Sequence, residues 1–125
     1  MDEVLKVENL KKYFTKKGIF GSESNTVRAA DNISFSIKRG EVFVLAGESG
    51  SGKSTIAKLI LKSIPLDSGK IFFEGKEIGN DPKKIKKIRM NCQMIHQDPY
   101  DSINPRMRIG DIVSEPLEIH NIGNK

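Results

Sequence analysis

Nine consecutive residues, Gly47-Glu-Ser-Gly-Ser-Gly-Lys-Ser-Thr55, place two glycines, a lysine and a hydroxyl at the offsets G-x-x-x-x-G-K-[ST]. The chemistry of that set is phosphate binding. Gly47, Gly50 and Gly52 can adopt positive φ without a Cβ penalty, which lets successive backbone N–H groups turn inward as an anion nest. A helix starting directly behind the loop adds four unpaired donors and the positive end of its dipole. Lys53 would place a point charge on the β- and γ-phosphates. The Ser54 hydroxyl would be a Mg²⁺ ligand, a hard oxygen for a cation that leans on phosphates for the rest of its shell. Thr55 could donate to the α-phosphate. Gly47, Glu48, Ser49, Gly50, Ser51, Gly52, Lys53, Ser54 and Thr55 are therefore candidate ligands of a nucleoside triphosphate. A plain Ser/Gly-rich turn is the alternative, and the fixed offsets argue against it.

The motif needs a strand before it and a helix after it. Glu41-Val-Phe-Val-Leu-Ala46 is continuously apolar after its first residue, the pattern of a strand buried on both faces in a parallel sheet. Ser54 to Lys62 is predicted helical, with Ile56, Leu59, Ile60 and Ile64 facing inward and Pro65 and Gly69 ending it. Upstream, Val4–Val7 is a short strand candidate, and Lys11 to Thr26 reads as a loop or hairpin. Ile33, Phe35 and Ile37 alternate with polar neighbours, as in a strand with one face in water. Downstream, residues 70–78 predict a hairpin turning at Gly75. Asp81-Pro82 predicts the start of a helix to about Arg89. Gln93–His96 predicts a short strand, and Asp98–Arg106 an ordered loop. Asp111 is a candidate cap for a last helix toward His120, with Pro116 bending it or marking its true first turn.

The chain has 125 residues, about one domain, with 37% hydrophobic and 30% charged residues. That is a globular composition on the polar side. Its longest apolar run is too short to span a bilayer, and Met1-Asp-Glu-Val lacks a signal-peptide core, so a membrane role is expected to come through a partner. The one cysteine, Cys92, excludes an internal disulfide and is expected to be a small buried hydrophobe. The net charge of +5 owes much to residues 83–89. No aromatic residue is interleaved there and Ile85 and Ile88 lie three apart, so a solvated helix face is expected and no nucleic-acid partner.

Four stretches resemble the ATP-binding subunit of ABC transporters, within it the oligopeptide/dipeptide importers. They are Asn9-Leu-Lys-Lys-Tyr-Phe14, Asp31 to Glu41, Gly47 to Thr55, and Gln97-Asp-Pro-Tyr-Asp-Ser-Ile-Asn-Pro-Arg106. The resemblance implies an α/β fold: a P-loop core of parallel sheet flanked by helices, with an N-terminal antiparallel β subdomain. It divides the chain into an antiparallel region and core strand (1–46), the phosphate loop and its helix (47–64), a hairpin, helix and strand (65–96), a Q-loop (97–106) and the start of a helical subdomain (107–125). It implies that Phe14, with Tyr13 as fallback, stacks on adenine, and that Gln97 is catalytic beside Lys53, reaching toward Mg²⁺ and the attacking water. Asp98 it assigns to loop structure, and His96 and His120 to flanking positions. It further implies ATP and Mg²⁺ as cofactors, and transmembrane permease subunits contacted through the Q-loop region. A second ATP-binding subunit, identical or homologous, and a place on the cytoplasmic face of the membrane complete the picture.

The family's later parts, a Walker B strand ending in Asp-Glu, an L-S-G-G-Q signature and a switch histidine, do not occur in these 125 residues. The chain is therefore read as the N-terminal half of an ATPase domain, with the cradle but without a complete hydrolytic site. A poorly soluble or strand-swapping chain is the expected consequence. Competing readings are a P-loop kinase, a non-transport ABC protein and a nucleotide-binding remnant that does not hydrolyse. A kinase usually opens on its phosphate loop, whereas here 46 residues come first.

Overall fold

Leu5, Val7 and Leu10 are buried on the central strand of the sheet because the chain changes its alternation between them. In the computed structural model, which describes residues 2–16, 25–47 and 52–123, β1 (Glu3–Lys16) pairs antiparallel with β2 (Asn25–Lys38). Val7 pairs with Phe35 and Leu10 with Ile33, so two β1 residues stand opposite one β2 residue. That is a β-bulge. Asn9 sits in it at φ 48, and its N–H is donated to Ser34 Oγ (2.8 Å). The bulge turns Leu10 inward, where it is fully buried. The region expected as a loop or hairpin over Lys11–Thr26 is thus a hairpin of two long strands; the positions between 17 and 24 lie outside the described residues.

β3 (Ser68–Phe73) lies on the other side of β1, and β4 (Lys76–Glu77) returns beside it, giving the order β2-β1-β3-β4, antiparallel throughout. The expected hairpin forms. Glu74 (φ 48) and Gly75 (φ 76) are its two loop residues, with Phe73 paired to Lys76, as in a type I′ turn.

Among the described residues, three α-helices follow from local signals. α1 (Lys53–Ile60) buries Ile56 and Leu59. It ends sooner than Pro65 and Gly69 suggest, because Lys62 turns left-handed (φ 57) and Ser63 N–H closes back on the Lys58 carbonyl (2.9 Å). α2 (Pro82–Asn91) starts where Asp81 Oδ1 accepts the Lys83 N–H (2.9 Å) and buries Ile88, while Lys83, Lys86 and Lys87 stay exposed. The solvated basic face is as expected. α3 (Ile109–His120) starts two residues before Asp111, which therefore lies in the first turn rather than at the cap. The Arg108 carbonyl accepts the Ile112 N–H instead (3.0 Å). Pro116 is inside the helix, where it deprives the ladder of one donor.

The core joins Leu5, Val7, Leu10, Ala29, Ala30, Ile71 and Phe73 of the sheet to Ile56, Leu59, Ile78 and Ile88. Burying a side chain of this size contributes about 1.5–3 kcal/mol. Two compact units result, residues 1–89 and 90–125.

Two predicted strands do not form. Val42–Ala46 has no ladder partner among the described residues, and Val42 is 89% exposed. Its one aromatic anchor is Phe43, stacked on Phe35 at 4.8 Å. Gln93–His96 likewise has no ladder partner among the described strands, and Ile95 is 95% exposed. Apolar composition favours a strand, but a strand exists only where another backbone accepts and donates. For the same reason Cys92, which borders the second segment, is half-buried rather than buried.

Candidate functional site

The phosphate loop is held at both of its described ends. Gly47 is exposed at one end and Gly52 opens α1 at the other; Glu48, Ser49, Gly50 and Ser51 lie outside the described residues. Lys53 Nζ donates to the Gly47 carbonyl, so the lysine bridges the start and the finish of the loop. Gly52 is the N-cap of α1 at φ 93, and among the described residues no side chain caps the helix. The Ile56 N–H returns to the Gly52 carbonyl (3.0 Å). Lys53, Ser54 and Thr55 form the first turn of α1, where a helix presents backbone N–H groups beyond its own ladder. Ser54 is exposed at the same end. The arrangement presents N–H donors, a helix dipole, an ammonium and a hydroxyl together, a donor set suited to phosphate and to the hard cation that accompanies it.

Gly52 is required there by its neighbour as well as by its φ. A Cβ on Gly52 would stand 1.7 Å from the Ala29 carbonyl oxygen. Ala29 reaches that position through a second bulge: Tyr13 pairs with Arg28 and Lys12 with Ala30, which leaves Ala29 without a residue opposite. The bulged backbone of β2 is thus the wall against which Gly52 rests.

Two residues along β2 from Ala29, Val27 faces Phe14 across the ladder. Directly opposed residues share a face. Phe14 is 42% exposed and Val27 47% exposed, so the pair forms an open apolar step. The Lys12 ammonium sits 5.3 Å from the Phe14 ring centroid. Tyr13, the fallback for stacking, is committed elsewhere. Its hydroxyl donates to Asp31 Oδ1 (2.6 Å), and the Arg28 guanidinium lies 5.9 Å from its ring centroid. The Asp31 hydrogen bond holds the Tyr13 phenol above its ordinary value of 10.0. Val27 is the residue that sequence reasoning passed over. Its signal is the register of the hairpin, which becomes visible only once the bulges are placed.

Asp67 anchors this strand end. Its Oδ2 accepts the Tyr13 N–H (2.7 Å) and its Oδ1 meets the Lys12 ammonium (3.4 Å). The Tyr13 N–H first, and the Lys12 charge after it, hold the Asp67 carboxyl below its ordinary 3.8. A carboxylate with a lowered pKa in the folded chain stabilises above its unfolded value and loses that contribution as pH falls through the lowered one. Between about pH 5 and pH 2, the chain should lose more stability than its Asp67→Asn variant. Urea midpoints across that range measure it, and parallel slopes for the two proteins would contradict it.

In the second unit, Gln97 is exposed and stands two residues before a short 3₁₀ turn, Pro99–Ser102. Asp98 caps that turn by accepting the Tyr100 N–H at Oδ1 (3.0 Å). Ser102 Oγ donates to the Pro99 carbonyl (2.7 Å), and Asn104 Oδ1 accepts the Arg106 N–H (3.0 Å). Asp98 is therefore a structural residue of an ordered loop, as expected. Of the sequence-derived site residues, the structure joins Gly47, Gly52 and Lys53 directly and puts Ser54 and Thr55 in the same helical turn. Phe14 stands on the strand pair that backs Gly52, and Gln97 belongs to the other unit.

Comparison with known proteins identifies the family and the fold. A family model described as "ABC transporter" matches residues 30–122. The oligopeptide transport ATP-binding protein AppF of Bacillus subtilis is 39% identical over 97% of this chain, and its counterpart OppF of Streptococcus mutans is 44% identical over 96%. The chain spans 38% of the length of each of these relatives. Among solved structures, a dimeric post-hydrolysis state of the ATP-binding cassette MJ0796 bound to ADP and Pi superposes with a TM-score of 0.73. The identity is 25%, over 97% of this chain and 50% of that one. Its fold is accordingly that of the ATP-binding cassettes, and the chain belongs to the ABC transporter family.

Proposed function

We propose that this chain binds MgATP through Gly47–Thr55 and is the energy-coupling ATP-binding part of a transporter for peptide uptake. The observation that carries the reading is the Lys53 ammonium reaching the Gly47 carbonyl beside the first turn of α1, which opens at Gly52. In this reading Lys53 holds the β- and γ-phosphates. Ser54 supplies one oxygen to Mg²⁺, and the phosphates supply more. The open step of Phe14 and Val27 takes the adenine ring, for which a flat aromatic face offers stacking. Gln97 senses the γ-phosphate and Mg²⁺ in the assembled transporter. The ordered loop at 97–106 and the helix that follows it face the transmembrane permease subunits, and a second ATP-binding subunit completes each site. The assembly sits at the cytoplasmic face of the membrane; no helix among the described residues is long and apolar enough to cross it.

Peptide as the solute is supported by the names of AppF and OppF and by the Gln97–Arg106 stretch. Uptake of a labelled oligopeptide tests this. Cells lacking the gene should lose uptake and regain it on complementation. Uptake that is unchanged by the loss would overturn the peptide assignment and leave MgATP binding to be judged separately.

A further inference from the structure

α1 is short, and the far end of it is clamped by a residue outside the phosphate loop. A helix of eight residues is about 12 Å long and does not hold itself together in water. Gly52 fixes its first turn against Ala29, and Ile56 and Leu59 fix its middle by burial. At the last turn, Arg89 donates from Nε to the Leu61 carbonyl (3.1 Å) and from Nη2 to the Lys62 carbonyl (2.8 Å). Carbonyls at the end of a helix lack intrahelical partners, and a cation there also meets the negative end of the dipole. A planar guanidinium can serve two such oxygens at fixed geometry, where an ammonium cannot match it.

Arg89 is itself well placed to act as an anchor. It follows Ile88, which is fully buried. Lys84 Nζ ties the same helix to the Glu77 carbonyl (2.9 Å), and Lys87 Nζ ties it to Glu74 Oε2 (2.6 Å). α2 is thereby fastened to the β3–β4 hairpin, and Arg89 passes that fixed position on to α1.

We propose that Arg89 is a positioning residue for the nucleotide site, holding the C-terminal end of α1 so that the N–H groups and Lys53 at its other end stay aimed at the phosphates. The proposal rests on the MgATP reading above. With that end released, α1 is held only by its buried middle and by the Gly52–Ala29 contact, so a tilt of the helix displaces its first-turn N–H groups and Lys53. Misplacement of about 1 Å is enough to spoil a preorganised polar site.

The test titrates MgATP and AMP into the full chain and its Arg89→Ala and Arg89→Lys variants, alongside nucleotide-free melting. Arg89→Ala should weaken MgATP by about tenfold and leave AMP within about twofold, since AMP depends least on the β/γ cradle. Arg89→Lys, with one point donor, should fall between the two. An Arg89→Ala protein that melts cooperatively and keeps wild-type MgATP affinity would overturn the proposal, as would equal losses for MgATP and AMP. If Arg89→Ala does not fold, Arg89→Lys decides: unchanged MgATP affinity overturns it, and a selective loss upholds it. A wild-type chain that binds no MgATP would overturn the nucleotide reading instead. Hydrogen exchange at Leu61, Lys62 and Ser63 would still judge the clamp, which requires faster exchange in the variants.

Discussion

Replacing Lys53 by alanine should weaken MgATP binding by about 100-fold. The lysine has two tasks at one atom. Its ammonium is the counter-charge for the terminal phosphates, and charge-assisted hydrogen bonds of that kind contribute about 1.5–3 kcal/mol each. It also donates to the Gly47 carbonyl, which draws the first residue of the loop toward α1. Alanine removes both, and a loss of about 2.7 kcal/mol is a factor of 100 in the dissociation constant. The fold should survive, because Lys53 is not part of the buried core. Arginine at the same position should not restore affinity, since its planar fork is longer and differently aimed than a point ammonium. Calorimetric titration of both variants measures this, with thermal melting as the control for folding. Wild-type affinity in Lys53→Ala would remove the phosphate loop from the account.

Gly52→Ala should fail for a different reason, and more severely for stability. A residue with a Cβ at φ 93 is strained, at a cost of about 1–3 kcal/mol. The added carbon would also stand 1.7 Å from the Ala29 carbonyl oxygen, a backbone atom that cannot rotate away. Either α1 moves off the sheet or the bulge at Ala29 opens. Moving α1 would expose Ile56 and Leu59, both of which are core residues. A destabilisation of at least ~3 kcal/mol follows from strain and overpacking together, a large part of what a domain of this size holds in reserve. Urea unfolding checks it, and a midpoint equal to wild type would mean that the contact between Gly52 and Ala29 does not exist in solution. The two substitutions separate the roles of the loop: Lys53→Ala should fold and not bind, whereas Gly52→Ala should not fold well enough to bind.

What the sequence made legible depended on how local the signal was. The phosphate loop could be read outright, because its chemistry is written in consecutive residues. The β3–β4 hairpin and the start of α2 could be read too. A Gly at the turn and an Asp before a Pro act within a few residues of themselves. The bulges at Asn9 and Ala29 could not be read. They arise from a mismatch in register between two 14-residue strands, and neither strand states it alone. With them went Val27 and the wall behind Gly52. The segments 42–46 and 93–96 misled in the opposite direction. Their composition suits a buried strand, but pairing is a property of two segments, and no described strand forms a ladder with either. The end of α1 was misplaced for a related reason. Pro65 and Gly69 are the strong local stop signals, yet the helix ends at a left-handed Lys62 whose carbonyl is held by Arg89, twenty-seven residues away.

Gln97 marks the boundary of what one chain displays. Its loop is ordered by Asp98, Ser102 and Asn104, so the backbone that presents it is prepared. The side chain itself is exposed. In a complete transporter, Gln97→Ala is expected to slow turnover while sparing nucleotide binding.

The central claim is that the loop from Gly47 to Thr55 binds nucleotide through its terminal phosphates, together with Mg²⁺. The most direct measurement is a parallel calorimetric titration of the purified chain with ATP, ADP and AMP, each with and without Mg²⁺. The account predicts the affinity order ATP, ADP, AMP, with Mg²⁺ strengthening the first two and leaving AMP unchanged. Equal affinity for all three, or no binding of ATP with Mg²⁺ present, would contradict it.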